Sequence, residues 1–219
     1  MHDISIMRPP TLPTRRLLSI YVGGNTFVDT NSPEDGIRRA LAAGGAGGQV
    51  VGTHLGCSNN TNGTAQGRPW LDRNVLGCTN NTLFPEAVAL AQSADVVVLF
   101  VGLSPGIDGG DGESGESEGT DRPNDLNFPG FQPELIQQVA AANPNVVLVA
   151  VHGSASLSME SEKGLVPAIL DAHYPGQNGG DAIASVLFGD VSPSGRPVRK
   201  SPLATKNLLE DTDGLRRPP

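Results

Sequence analysis

The chain has 219 residues, 37% of them hydrophobic and 17% charged, with a formal net charge of −8. That composition fits a globular fold of one domain or a tight pair, and the acidic balance argues against a nucleic-acid surface, which needs clustered Lys and Arg. No apolar run approaches the roughly 18 residues of a membrane-spanning helix, and 28 glycines with 18 prolines predict many turns.

Residues 1–16 contain Pro and Arg without periodicity, so an irregular N-terminal segment is expected. Their prolines stand where a signal peptide would be apolar. Residues 17–22 read as a short strand ended by Gly23-Gly24. Ser32-Pro33-Glu34 opens a helix: Ser caps, Pro sits in the first turn, and acids favour the N-terminus. Ile37, Ala40 and Leu41 give it an apolar face, and glycines within 44–48 stop it. Residues 49–55 read weakly as a strand.

Residues 56–82 form a polar loop between Cys57 and Cys78, the only two cysteines. Trp70 lies in it and more readily packs the loop down than stacks on a sugar ring. Asn59, Asn62 and Asn80 each open a glycosylation sequon. Sequons around a cysteine pair suggest a secreted glycoprotein with a disulfide, although two buried free thiols are the alternative. A bridge closing a loop of about 20 residues would contribute roughly 3 kcal/mol.

From residue 84 the pattern is clear. Residues 85–94 read as a helix, and 96–101 (VVVLFV) as a strand too uniformly apolar for a half-exposed sheet. Residues 131–143 form a helix with Leu135, Ile136, Val139 and Ala140 on one face. A second buried strand covers 146–151 and a shorter third covers 167–172. A last helix covers 179–188, striped by Ala182, Ile183, Val186 and Leu187. Helices alternating with buried β-branched strands predict an α/β fold: an open, mostly parallel sheet with helices on both faces, a three-layer α/β/α sandwich. We assign 17–198 to this domain and 199–219 to an irregular tail.

In such sheets ligands bind beyond the carboxyl ends of the strands. Three loops leave those ends. One is IDGGDGESGESEGTDR (107–122), with six carboxylates: Asp108, Asp111, Glu113, Glu116, Glu118 and Asp121. The others are His152-Gly153-Ser154 and His173-Tyr174-Pro175-Gly176-Gln177. A carboxyl among carboxylates has its ionisation disfavoured, which suits a general acid. Glycoside hydrolysis uses such an acid opposite a second carboxylate, about 5 Å away in retaining enzymes. Asp121 and Arg122 read as the structural anchor of the loop base. His152 and His173 are structural or substrate-binding.

Other chemistries lack their motifs. No GxGxxG opens a helix after the first strand, and no P-loop or GxSxG elbow occurs. HExxH and CxxC are missing, and the acidic loop does not have EF-hand spacing. Neither a metal nor a cofactor is expected.

The stretches ADVVVLFVGL (94–103), ESEGTDR (116–122), LNFPGFQPELIQQVAAANPNVVLV (126–149), VPAILDAHYPGQNGGDAIASVLFGD (166–190) and SPSGR (192–196) carry a resemblance. In order and spacing they resemble the C-terminal α/β-sandwich domain of glycoside hydrolase family three, the β-glucosidases and β-xylosidases. SPEDGI (32–37), with the Gly-Cys pairs at 56–57 and 77–78, looks more loosely like the plant and fungal β-xylosidase branch. The resemblance implies that the acid/base is Glu116 or Glu118. It also implies a partner, an N-terminal barrel domain that supplies the nucleophile Asp, and a β-linked glycoside or oligosaccharide as substrate. The expected parent is secreted, with no nucleic-acid or membrane partner, and the isolated chain is expected to be inactive. A non-catalytic carbohydrate-binding domain is the alternative. Two departures stand out: residues before Leu17 do not supply the family's usual first strand, and the tail after Arg196 does not follow its closing strand. Either would leave a sheet edge uncovered.

Overall fold

The computed structural model describes residues 3–7, 32–44, 48–57, 78, 80–102, 127–128, 130–152, 157–173 and 175–195. Its elements in chain order are β1 (Asp3–Met7), α1 (Pro33–Ala43), β2 (Gln49–His54), α2 (Phe84–Gln92), β3 (Val96–Gly102), α3 (Gln132–Ala142), β4 (Val146–Val151), β5 (Ala168–Asp171) and α4 (Gly179–Leu187). The five strands form one parallel sheet in the order β2-β1-β3-β4-β5. The expected α/β sandwich is therefore the observed fold.

Why these residues form a two-sided sheet follows from the strand period of two. Val97, Leu99 and Val101 of β3 join Val146, Leu148 and Ala150 of β4 in one buried cluster, under Phe84, Ala87 and Ala91 of α2 and Leu135, Ile136 and Val139 of α3. Val98, Phe100, Val149 and Val151 point the other way, against Ile37 of α1 and Ile183 and Ala184 of α4. Both faces of β3 and β4 are covered, which is why their sequences are continuously apolar rather than alternating.

One sequence reading changes. Residues 3–7, expected to be irregular, form β1 between β2 and β3. Ile4 and Ile6 enter the α1/α4 cluster and Met7 the opposite one. Reciprocal bonds fix its start: the Asp3 N–H donates to Asp95 Oδ2 and the Asp95 N–H to the Asp3 carbonyl, both at 2.8 Å. A strand does precede residue 17, within a stretch that reads as irregular. The strand expected at 17–22 and the tail from 199 lie outside the described residues.

Local signals act as expected in α1. Ser32 Oγ accepts from the Asp35 N–H at 3.1 Å, and Asp35 Oδ2 accepts from the Ser32 N–H at 3.0 Å. This reciprocal cap satisfies two end groups and contributes about 1 kcal/mol. Gly36 lies against Gly180 of α4, where any Cβ would overlap the Gly180 carbonyl, so the two helices meet backbone to backbone. On the other face, Asn143 closes α3: its Nδ2 donates to the carbonyls of Ala91 (2.8 Å) and Ala94 (2.7 Å) at the end of α2.

Candidate active-site rim

The parallel register brings the strand ends that precede the three expected loops to one rim. Gly102, the last residue of β3, pairs with Val151, and Ala150 pairs with Asp171. The chain therefore leaves β3 and β5 on either side of β4, whose end carries His152. The strand order reverses between β1 and β3. Such a switch point opens a crevice at the carboxyl ends, and β3, the strand that precedes the acidic loop in the chain, borders it. Glu116, Glu118, Asp121 and Arg122 lie outside the described residues, but both roots of their loop are described.

At the outgoing root, Gly102 has φ +150°, and a Cβ there would overlap the Val151 carbonyl. The Gln132 side chain, 2% exposed, brackets this residue. Its Oε1 accepts from the Gly102 N–H at 2.8 Å and its Nε2 donates to the Gly102 carbonyl at 2.9 Å. The Gln132 amide thus gives both buried backbone groups a partner. At the returning root, Phe128 is buried. Gly130 has φ +61° and sits against the Cys78 carbonyl, which accepts from the Phe131 N–H at 2.7 Å. Cys78 is disulfide-bonded to Cys57, with their Cα atoms 5.4 Å apart and both residues buried. The expected bridge is present, and it anchors the carbonyl that holds the loop's return.

The other rim loops converge on one carboxylate. His152 Nε2 lies 3.0 Å from Asp171 Oδ1 and His173 Nε2 lies 3.7 Å from the same oxygen. The two imidazole centroids are 4.5 Å apart with the rings tilted by 47°. His152 is buried, whereas the side chains of Asp171 and His173 are 39% and 65% exposed. His173 has φ +48°, an uncommon conformation for a non-glycine residue, and its N–H donates to Asp171 Oδ1 at 3.4 Å. Partial burial alone would raise the Asp171 carboxyl. The hydrogen bond from His152, the neighbouring His152 and His173 rings and the His173 N–H outweigh it and hold the group below its ordinary 3.8.

Sequence reasoning placed His152 and His173 on this rim but missed Asp171 and Gln132. Asp171 hid at the end of an apolar strand. Gln132 lies three and four residues before Leu135 and Ile136, so its helical spacing put it on the buried stripe. Asn59 and Asn62 lie outside the described residues. Asn80 is half-buried, and its Oδ1 accepts from the Thr82 N–H at 2.7 Å. A shallow cleft of about 470 Å³ opens at the amino ends of β3 and β4, beside Asp95, Val96 and Asn145. It is at the wrong end of the sheet for the rim.

The sequence profile of the glycosyl hydrolase family 3 C-terminal domain matches residues 10–215. The chain belongs to this family. It is 45% identical over 118 residues to an exo-alpha-(1->6)-L-arabinopyranosidase of Bifidobacterium breve, covering 54% of this chain and 14% of that protein. It is 44% identical over 128 residues to a beta-glucosidase of Rhizobium radiobacter, covering 58% and 14%. To the probable beta-D-xylosidase 7 of Arabidopsis thaliana it is 40% identical over 136 residues, covering 61% and 16%. The chain thus matches about one-seventh of the length of these relatives. Among solved structures it resembles the GH3 beta-glucosidase of Bifidobacterium adolescentis, with a TM-score of 0.65 and 28% identity over 94% of this chain and 25% of that one. This family 3 domain therefore corresponds to a small part of longer glycoside hydrolases.

Proposed function

We propose that this family 3 domain supplies the acid/base carboxylate of a β-glycosidase whose nucleophile Asp lies on an N-terminal barrel. The observation that carries the reading is the ESEGTDR segment (116–122), in a loop that leaves the carboxyl end of β3 at the switch point of the sheet. Glu116 or Glu118 would protonate the glycosidic oxygen as the bond to the sugar breaks. The barrel Asp would take the anomeric carbon, and the same Glu would then deprotonate the water that releases the sugar.

The tight frame at Gly102 and Phe131 has a role in this scheme. Fixed roots return the carboxylate of the glycine-rich loop to one place. His173, the exposed ring on the rim, is our candidate for contact with the sugar, with His152 buried behind Asp171. The sequons and the Cys57–Cys78 bridge support a secreted parent.

The isolated chain is expected to show no turnover of aryl β-glucosides or β-xylosides. Joining it to a family 3 barrel that carries the nucleophile Asp is expected to produce turnover. Binding of glucose, xylose or cello-oligosaccharides by the chain, with no turnover even in the joined protein, would instead favour a carbohydrate-binding domain.

A further inference from the structure

We propose that His152, Asp171 and His173 form a binding site for a borderline divalent transition-metal ion of the zinc class. Among the described residues they are the group whose histidine and carboxylate ligand atoms all lie within 4.8 Å of one another. Around a zinc ion with bonds of roughly 2.0–2.2 Å, tetrahedral ligand atoms sit about 3.3 Å apart. The observed separations from Asp171 Oδ1, 3.0 Å to His152 Nε2 and 3.7 Å to His173 Nε2, bracket that value.

The ligand chemistry selects the class of ion. Two imidazoles and one carboxylate suit zinc, copper, nickel or iron. Calcium and magnesium take oxygen ligands almost entirely, and only one oxygen-bearing side chain is present in the group. The ion would take the place of the proton that His152 Nε2 shares with the Asp171 carboxylate.

Preorganisation is the second line of support. The ends of two hydrogen-bonded strands fix His152 and Asp171, through the pairing of Ala150 with Asp171. His173 is turned back by its left-handed backbone, so that its N–H and its ring both face the same carboxylate. A sparsely populated backbone held at a cluster of ligand-type side chains is where strain commonly serves a site. The exposed His173 side gives the ion an entry path and leaves coordination positions for water.

The test is calorimetric titration of the oxidised 219-residue chain with zinc chloride. Both cysteines are in the disulfide, so no thiolate competes. We expect one saturable site. His173→Ala and Asp171→Asn should each weaken it more than about tenfold, while His54→Ala, on the remote β2 edge, leaves it unchanged. Because the His173 side chain is largely exposed, His173→Ala should fold, and circular dichroism would verify this. Binding of equal strength in folded His173→Ala, loss of binding in His54→Ala, or no saturable binding up to about 1 mM zinc would overturn the proposal. None of these results bears on the acid/base assignment of Glu116 or Glu118.

Discussion

On the face covered by α2 and α3, buried side-chain amides and a disulfide tie loops to strand ends. On the face covered by α1 and α4, two helices meet backbone to backbone at Gly36 and Gly180, and the visible polar tie is an exposed ion pair, Arg39 with Asp181. Both faces bury apolar side chains, the larger cluster lying under α2 and α3, so the hydrophobic effect holds both helix layers to the sheet. The polar ties differ between the faces. Two of them, the Gln132 amide and the disulfide, sit where the chain leaves β3 and where it returns to α3, while Asn143 ties the ends of α2 and α3 at the opposite end of the sheet. The difference teaches that one face solves a packing problem, whereas the other also solves a positioning problem.

Removing the disulfide should have the largest effect. Replacing Cys57 and Cys78 together by Ser opens a 21-residue separation and should cost about 3 kcal/mol in denaturant unfolding. If the comparison holds, protease cleavage within 103–126 should rise before global unfolding, because the carbonyl that holds Phe131 is released.

Gln132→Leu comes next. It preserves apolar volume but strands the Gly102 N–H and carbonyl, at a cost of about 2 kcal/mol. Hydrogen exchange at the Gly102 amide reads this directly. Unchanged protection there would show that the amide does not hold the root.

Asp171→Asn should act mainly through pH. The folded carboxyl lies below its ordinary 3.8, so its charged form contributes stability above that value, and the contribution is lost as pH falls through the folded pKa. The side chain is 39% exposed, so screening keeps the term small. Acid unfolding of Asp171→Asn should be shallower below about pH 4, with the neutral-pH difference modest.

The smallest change belongs to the other face. Arg39 and Asp181 are 53% and 52% exposed, and Arg39→Ala should cost about 0.5 kcal/mol or less in thermal unfolding. A loss there as large as that from Gln132→Leu would erase the contrast between the faces.

Much of the fold was legible in sequence because its central signals are local. The runs at 96–101 and 146–151 need no partner to read as buried strands, and Ser32-Pro33-Glu34 marks a helix start by itself. β1 was not legible. Its five residues include Asp3 and Ser5, and it becomes a strand only through pairing with β2 and β3 on both sides. The site was legible as residue types rather than as geometry. His152 and His173 could be placed after strands, but their convergence on Asp171 depends on the register of β4 and β5. Gln132 carried a signal in its spacing from Leu135 and Ile136, yet its polar head hid the stripe. The family resemblance supplied what spacing could not: which carboxylates of the 107–122 loop to test.

The central claim is that this domain delivers a catalytic carboxylate from that loop. The direct measurement is kcat/KM toward an aryl β-glycoside for the domain joined to a family 3 barrel, compared with Glu116→Gln and Glu118→Gln in the same protein. One substitution should lower kcat/KM by about 10²- to 10⁴-fold, the usual worth of a positioned general acid, while the protein stays folded. Full activity in both variants would contradict the account.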